Sequence, residues 1–298
     1  MTSTKETTML GRLERARLLA VRVIPPLVRI LAGLLWLANT DWKVPPDFGE
    51  ATGRGLYGFV ADGIEHPVLG PYAFLLETFV LPNIELFGWV TLLVETSLAA
   101  LLITGTLTRI AALGGAAQAL AITLTVSRVP GEWAFAYYLM VGVHLSVLAM
   151  DAGRTWGVDA LVARRHAARE DPSELPAAER SLRIGKRAAA TVLGLLGLFL
   201  LVTQPFVTSD FPFSRFHGVR GSGLLGLVYL ALATIVWFFA GRPAQARTIA
   251  TFTLMIAVWA LFSYPSTVNV LSAAPSSAAI LAGTAAFLLG SAVRSEAP

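Results

Sequence analysis

Arg29, Glu95, Gln118 and His144 are strongly polar side chains that interrupt four separate, long apolar runs. A charged group in such a place is costly unless it is paired or hydrated. Guanidinium and carboxylate suit each other, because parallel hydrogen bonds compensate both charges. An amide and an imidazole can then fill the donors and acceptors that the ion pair leaves over. At 1.5 Å per helical residue, Arg29 lies about 16 Å below one membrane face and Glu95 about 12 Å below the other, with Gln118 and His144 at similar depth. The spacing predicts one polar layer near the midplane, in which Arg29 and Glu95 form an ion pair with His144 nearby. Two uses are open to such a layer. It can hold a polar headgroup, such as the carbonyl oxygens of a quinone, or relay a proton through an imidazole that titrates near neutrality. Alternatively it is an internal ion pair that only fixes helix packing.

Trp36, Trp42 and Lys43 stand at the outer end of the first run, where a planar ring can stack before moving inward. Together with the polar layer they make up the candidate headgroup site. Other chemistry is excluded. The sequence has no cysteine, which removes disulfides, thiolate metal ligands, iron–sulfur clusters and any thiol relay within the chain. His66, His166 and His217 fall in loops, so no two histidines inside the membrane can hold a haem from both sides, and zinc-site spacing is absent. There is no phosphate loop, nucleophile elbow or dinucleotide fingerprint. No haem, iron–sulfur cluster or zinc is expected, and electrons have to be delivered by a partner.

These residues are positioned by membrane helices. Of 298 residues 55% are hydrophobic and only 14% charged, against about 25% charged in ordinary soluble domains. A soluble enzyme, a nucleic-acid module and a disordered chain are excluded, and the lipid bilayer is the expected surrounding. The apolar runs predict eight spans at 18–38, 87–106, 109–128, 133–151, 188–206, 223–241, 247–264 and 276–293. The runs are continuous rather than alternating, so the fold class is an all-α integral membrane protein and not a barrel. Seventeen Lys and Arg residues fall on one side of these spans and five, Lys43, Arg54, Arg128, Arg215 and Arg220, on the other. Both termini and the segment 153–187 are therefore expected on the cytoplasmic side of the membrane, with 41–86 and 207–222 outside. The basic N-terminal segment runs straight into a full-length span, so a retained signal anchor is expected rather than a cleaved peptide.

Along the chain we expect a four-helix membrane domain over 1–165, a cytoplasmic linker over 166–187 and a second four-helix membrane region over 188–298. Gly105 to Arg109 and Gly241 to Arg247 echo each other between the halves, as a parallel repeat or two unrelated basic turns would. The outer segment 41–86 is rich in aromatic and acidic residues, and 71–81 is expected as a short helix at the outer leaflet. The segment serves either a function or simply as a lid on the bundle.

Several motifs then carry a resemblance. The run from Arg29 to Trp36 with Trp42 and Lys43, Glu95 with Leu101 to Gly105 and Thr108-Arg109, Trp133, Tyr137-Tyr138 and His144, and Ala152 to Asp159 appear in this order. The pattern resembles the DoxX family, which includes the small membrane subunit of thiosulfate:quinone oxidoreductase, and is most like its actinobacterial members. The resemblance covers the first 165 residues and falls on Arg29, Trp36, Lys43, Glu95, Arg109, His144 and Arg154. It implies a membrane subunit of a quinone-linked redox system, a menaquinone as the quinone, and a redox protein or larger membrane complex as partner. The four added helices and the lack of a thioredoxin-like or thiosulfate-binding domain depart from the family pattern. A non-catalytic membrane scaffold or cargo and assembly factor is the competing function. A carrier built from two repeats is disfavoured, because the second half has no ionisable residue at depth.

Overall fold

The computed structural model describes residues 2–204, 206, 221–264, 271 and 273–293, and for 2–13, 15 and 16 it describes the backbone. Most of the expected outer loop 207–222 therefore lies outside the described residues, as do Arg215, His217, Arg220 and Arg294. The described residues are helical with no strand. The helices are α1 (Thr2–Thr40), α2 (Gly55–Glu65), α3 (Gly70–Leu75), α4 (Ile84–Thr104), α5 (Thr108–Val126), α6 (Ala134–Ala149), α7 (Val158–Glu170), α8 (Leu175–Thr203), α9 (Gly223–Phe239), α10 (Pro243–Phe262) and α11 (Pro275–Ser291).

Eight of them match the expected spans: α1, α4, α5, α8 and α10 contain stretches long and apolar enough to cross a membrane, and α6, α9 and α11 are shorter apolar helices. Their large apolar side chains point outward, as Leu31, Leu34 and Leu35 do on α1, while small Ala32 and the tethered Trp36 face inward. In water that surface would be an association hazard; against lipid it is the expected arrangement. Helix α1 continues through Pro25 and Pro26.

The principal helix pairs are α1 with α4, α5 with α6, α8 with α9, and α10 with α11. Spans one and two, three and four, five and six, and seven and eight thus pair in chain order. Small residues allow close crossings: a Cβ on Gly197 of α8 would stand 2.7 Å from the Gly226 carbonyl oxygen of α9, and the reverse approach is 2.6 Å. Helix α11 packs along α4 and meets α1 and α7, so the two halves share an interface.

The loops separate to two ends. Asp41, Tyr264 and Ser276 meet at one end. Gly105, Gly157, Val158 and Gly290 meet at the other. The segment 166–187 is itself helical, being the end of α7, a turn at Pro172–Glu174 and the start of α8. At the opposite end α3 continues through a π-helical turn (Leu76–Val80) towards α4, which accounts for the expected helix over 71–81. Here α2 and α3 lie against α5: Tyr72 donates to the Ala121 carbonyl at 3.2 Å, and a Cβ on Gly63 would be 2.4 Å from the Thr125 oxygen.

Exposed Ala51 and Glu170 mark the two ends. With Ala51→Cys, a membrane-impermeant maleimide should label intact cells; with Glu170→Cys, only lysed ones. The reverse pattern would overturn the orientation.

Candidate functional site

The buried ion pair is formed by Lys43, not Arg29. Lys43 Nζ is 2.6 Å from Glu95 Oε2, with the two side chains 2% and 0% exposed. Helix α1 ends at Thr40 and the chain turns there, the Lys43 amide donating to the Thr40 carbonyl. The aliphatic stem of Lys43 is buried with its ammonium, an inward form of the apolar-stem, charged-tip behaviour of lysine. The ammonium also donates to the Asn39 carbonyl at 2.6 Å and lies 4.2 Å from the centre of the Trp42 ring, a cation–π contact. Trp42 donates through its indole to Asn39 Oδ1 at 2.9 Å, and the Asn39 amide donates to Glu95 Oε1 at 3.4 Å. Gln118 of α5 hydrogen-bonds the same carboxylate. Phe59 of α2 packs against Trp42 in a tilted arrangement, ring centres 5.1 Å apart.

Another pair lies one helical turn further in. Trp36 Nε1 donates to His144 Nε2 at 2.8 Å, and both residues are fully buried. Indole is a donor only, so Nε2 accepts and the ring proton is on Nδ1, which donates to the Met140 carbonyl at 2.7 Å. His144 is thus a neutral imidazole with both nitrogens engaged, which orients the ring. Space for it comes from Gly115 of α5, where a Cβ would lie 2.2 Å from His144 Cδ2. Trp36 and Asn39 are three residues apart on α1, as Gly115 and Gln118 are on α5, so the two pairs share the same helix faces. Trp36, Trp42, Lys43, Glu95, Gln118 and His144 therefore occupy one region. Asn39 belongs with them and was not singled out from the sequence, although its place one turn after Trp36 was a usable signal.

Arg29 corrects the expected midplane ion pair. It is fully buried but forms no ion pair among the described residues; Nη1 donates to the carbonyls of Ala152 (3.0 Å) and Thr155 (3.3 Å), and Nη2 to that of Trp156 (2.7 Å). The guanidinium sits between Gly105 and Gly157, where a Cβ would approach Nη1 to 2.2 and 2.7 Å. Gly105 has φ +66, so glycine there meets both a backbone and a space requirement. The physical reason is direction: a helical side chain leans towards the helix N-terminus, which carries the guanidinium away from Glu95 and onto the turn after α6. Arg29 precedes Trp36 by seven residues, about 10 Å along the axis.

That turn is held from other sides too. Asp159 accepts from the amides of Leu107 (2.8 Å) and Thr108 (2.9 Å), satisfying the open N-terminus of α5. Arg109 donates twice to Asp151, both at 3.2 Å, and Arg154 pairs with the same carboxylate. Hydrogen bonds from Arg109 first, and the charges of Arg109 and Arg154, hold the Asp151 carboxyl below its ordinary range. Arg29, Arg109 and Arg154 thus serve an inner latch, while Trp36, Lys43, Glu95 and His144 serve the outer polar cluster.

The description TQO small subunit DoxD belongs to a family model that matches residues 18–183, more than half of the chain and the whole of both clusters. No curated protein and no solved structure matches. The chain is a member of the DoxD family and a multi-pass, all-helical membrane protein.

Proposed function

We propose that this protein is the membrane subunit of a quinone-linked oxidoreductase of the bacterial plasma membrane, and that the Lys43–Glu95 pair is where a menaquinone headgroup is held. The observation carrying this reading is a fully buried ammonium–carboxylate pair set among Trp42, Asn39, Gln118 and the Trp36–His144 pair, within the family-matched segment. The donor set fits a quinone. Its carbonyl oxygens call for N–H donors, which Lys43, Asn39 and Gln118 supply, and its ring calls for an aromatic face, which Trp42 supplies. When bound, a quinone supplies an acceptor for two electrons and two protons. Lys43 donates to a carbonyl oxygen, and Glu95 holds or moves a proton at Oε1, whose contact with Asn39 at 3.4 Å is long for a hydrogen bond and easily exchanged. Trp36 and His144 orient the floor of the site. Electrons come from a partner protein, since a chain without cysteine offers no thiolate-held centre.

The test is a titration of purified protein with a soluble naphthoquinone, followed by tryptophan quenching. Glu95→Gln and Lys43→Met should each weaken binding by about tenfold or more, the worth of one charge-assisted hydrogen bond. Unchanged affinity in both, with no quinone in the purified wild type, would leave the scaffold function in possession.

A further inference from the structure

The family match ends at residue 183, and most of α8 with α9, α10 and α11 lies beyond it. Asp41 shows what those helices add. It is 7% exposed, and its carboxylate faces the first turn of α11: Oδ1 accepts from the Ser276 amide at 3.0 Å and Oδ2 from the Ser276 hydroxyl at 2.7 Å. Amides in a first turn have no partner inside their own helix, and the helix dipole favours a carboxylate there. The Asp41 backbone is held as well, because Tyr264, just after α10, donates to its carbonyl at 2.8 Å. Asp41 is thus gripped through side chain and main chain by the C-terminal helices. Lys43 follows two residues later.

The physical consequence concerns the direction of Lys43. A lysine stem is flexible, and an ammonium at the outer boundary gains hydration by turning outward. Whether it points in to Glu95 or out to water depends on how firmly the turn that carries it is fixed. We infer that Asp41, Ser276 and Tyr264 are positioning residues that aim the Lys43 ammonium at Glu95, so that the C-terminal helices complete the site of the family-matched segment. The inference rests on the quinone reading only for what Lys43 does once it is aimed; the clamp itself is independent of it.

The chain has three lysines, Lys5, Lys43 and Lys186, so amine labelling reads the clamp directly. Full-length protein in nanodiscs is treated with a water-soluble acetylating reagent, and labelling at Lys43 is quantified by peptide mass spectrometry against the other two. Lys43 is expected to be protected in the wild type. It should become several-fold more reactive in Asp41→Ala and Ser276→Ala, and protection should return in Ser276→Thr, which keeps the hydroxyl and the amide. Ser291→Ala, at the far end of α11, should leave protection intact. Lys43 protected in both variants would overturn the clamp, as would equal exposure in Ser291→Ala, which would indicate general loosening. If Asp41→Ala does not fold, Ser276→Ala, which removes a single hydrogen bond, decides alone. Menadione titration of the same samples separates the two ideas: Lys43 released by the variants, with no menadione bound by the wild type, sinks the quinone reading and upholds the clamp.

Discussion

Lys43→Met is expected to destabilise the protein by about 3–5 kcal/mol, because it leaves the Glu95 carboxylate buried without its ion. Glu95 is fully buried, and its other partners, Asn39 at 3.4 Å and Gln118, are neutral amides. They cannot replace an ammonium at 2.6 Å. Glu95→Leu leaves the ammonium stranded instead, although the lysine stem can swing outward and recover hydration, so the cost should be smaller. The double variant Lys43→Met with Glu95→Leu should recover most of the loss, as buried pairs replaced by apolar residues often do. Unfolding in detergent, carried through the full cycle of four proteins, checks this. Additive effects, or a neutral Lys43→Met, would show that the pair is not coupled.

Arg29→Ala should be damaging too, but elsewhere. Three carbonyl oxygens, those of Ala152, Thr155 and Trp156, lose their donor together; that of Ala152 is left buried and unsatisfied at about 1–3 kcal/mol, while the other two are part-buried and lose less. The space between Gly105 and Gly157 is vacated as well. Arg29→Lys should rescue little, because one ammonium cannot reproduce the fork that serves three acceptors. Amide hydrogen exchange should rise in the turn before α7 and in the first turn of α7, where the Asp159 amide bonds the Gly105 carbonyl at 2.9 Å. Naphthoquinone affinity of the folded fraction should persist, since Lys43, Glu95, Trp36 and His144 do not touch the latch. Unchanged exchange with lost affinity would put Arg29 back in the headgroup site.

The helices were legible because bilayer thickness sets a run length that no local detail can hide. Depth along the helices groups Glu95, Gln118 and His144, whereas the sequence places Trp36, Trp42 and Lys43 only at the end of the first span. Arg29 misled for a definable reason: a residue count locates Cα atoms, whereas a guanidinium reaches well beyond its own Cα, and the turn that receives it bends under α1 through left-handed positions at Asp151 and Trp156. Lys43 lies just past the end of α1, as its place in the sequence implies, but nothing in the sequence says that its stem turns inward. Asp41 looked like one more acid in an acidic outer segment. Its partner Ser276 is 235 residues away, and such a pairing exists only once α11 is packed. The motifs that carried the family resemblance divide the same way, some into the latch and some into the outer cluster, a division that spacing alone does not show.

Entry of a quinone headgroup into the Lys43–Glu95 cluster can be read with a menaquinone analogue that carries a photoreactive group on its ring, activated in membranes holding the wild-type protein. Crosslinks are predicted on the end of α1 and the turn after it, 36–43, and on α4 around Glu95, displaced by excess menaquinone and greatly reduced in Glu95→Gln. Crosslinks spread over the lipid-facing surface, or centred on α8 to α11 and indifferent to Glu95→Gln, would contradict it.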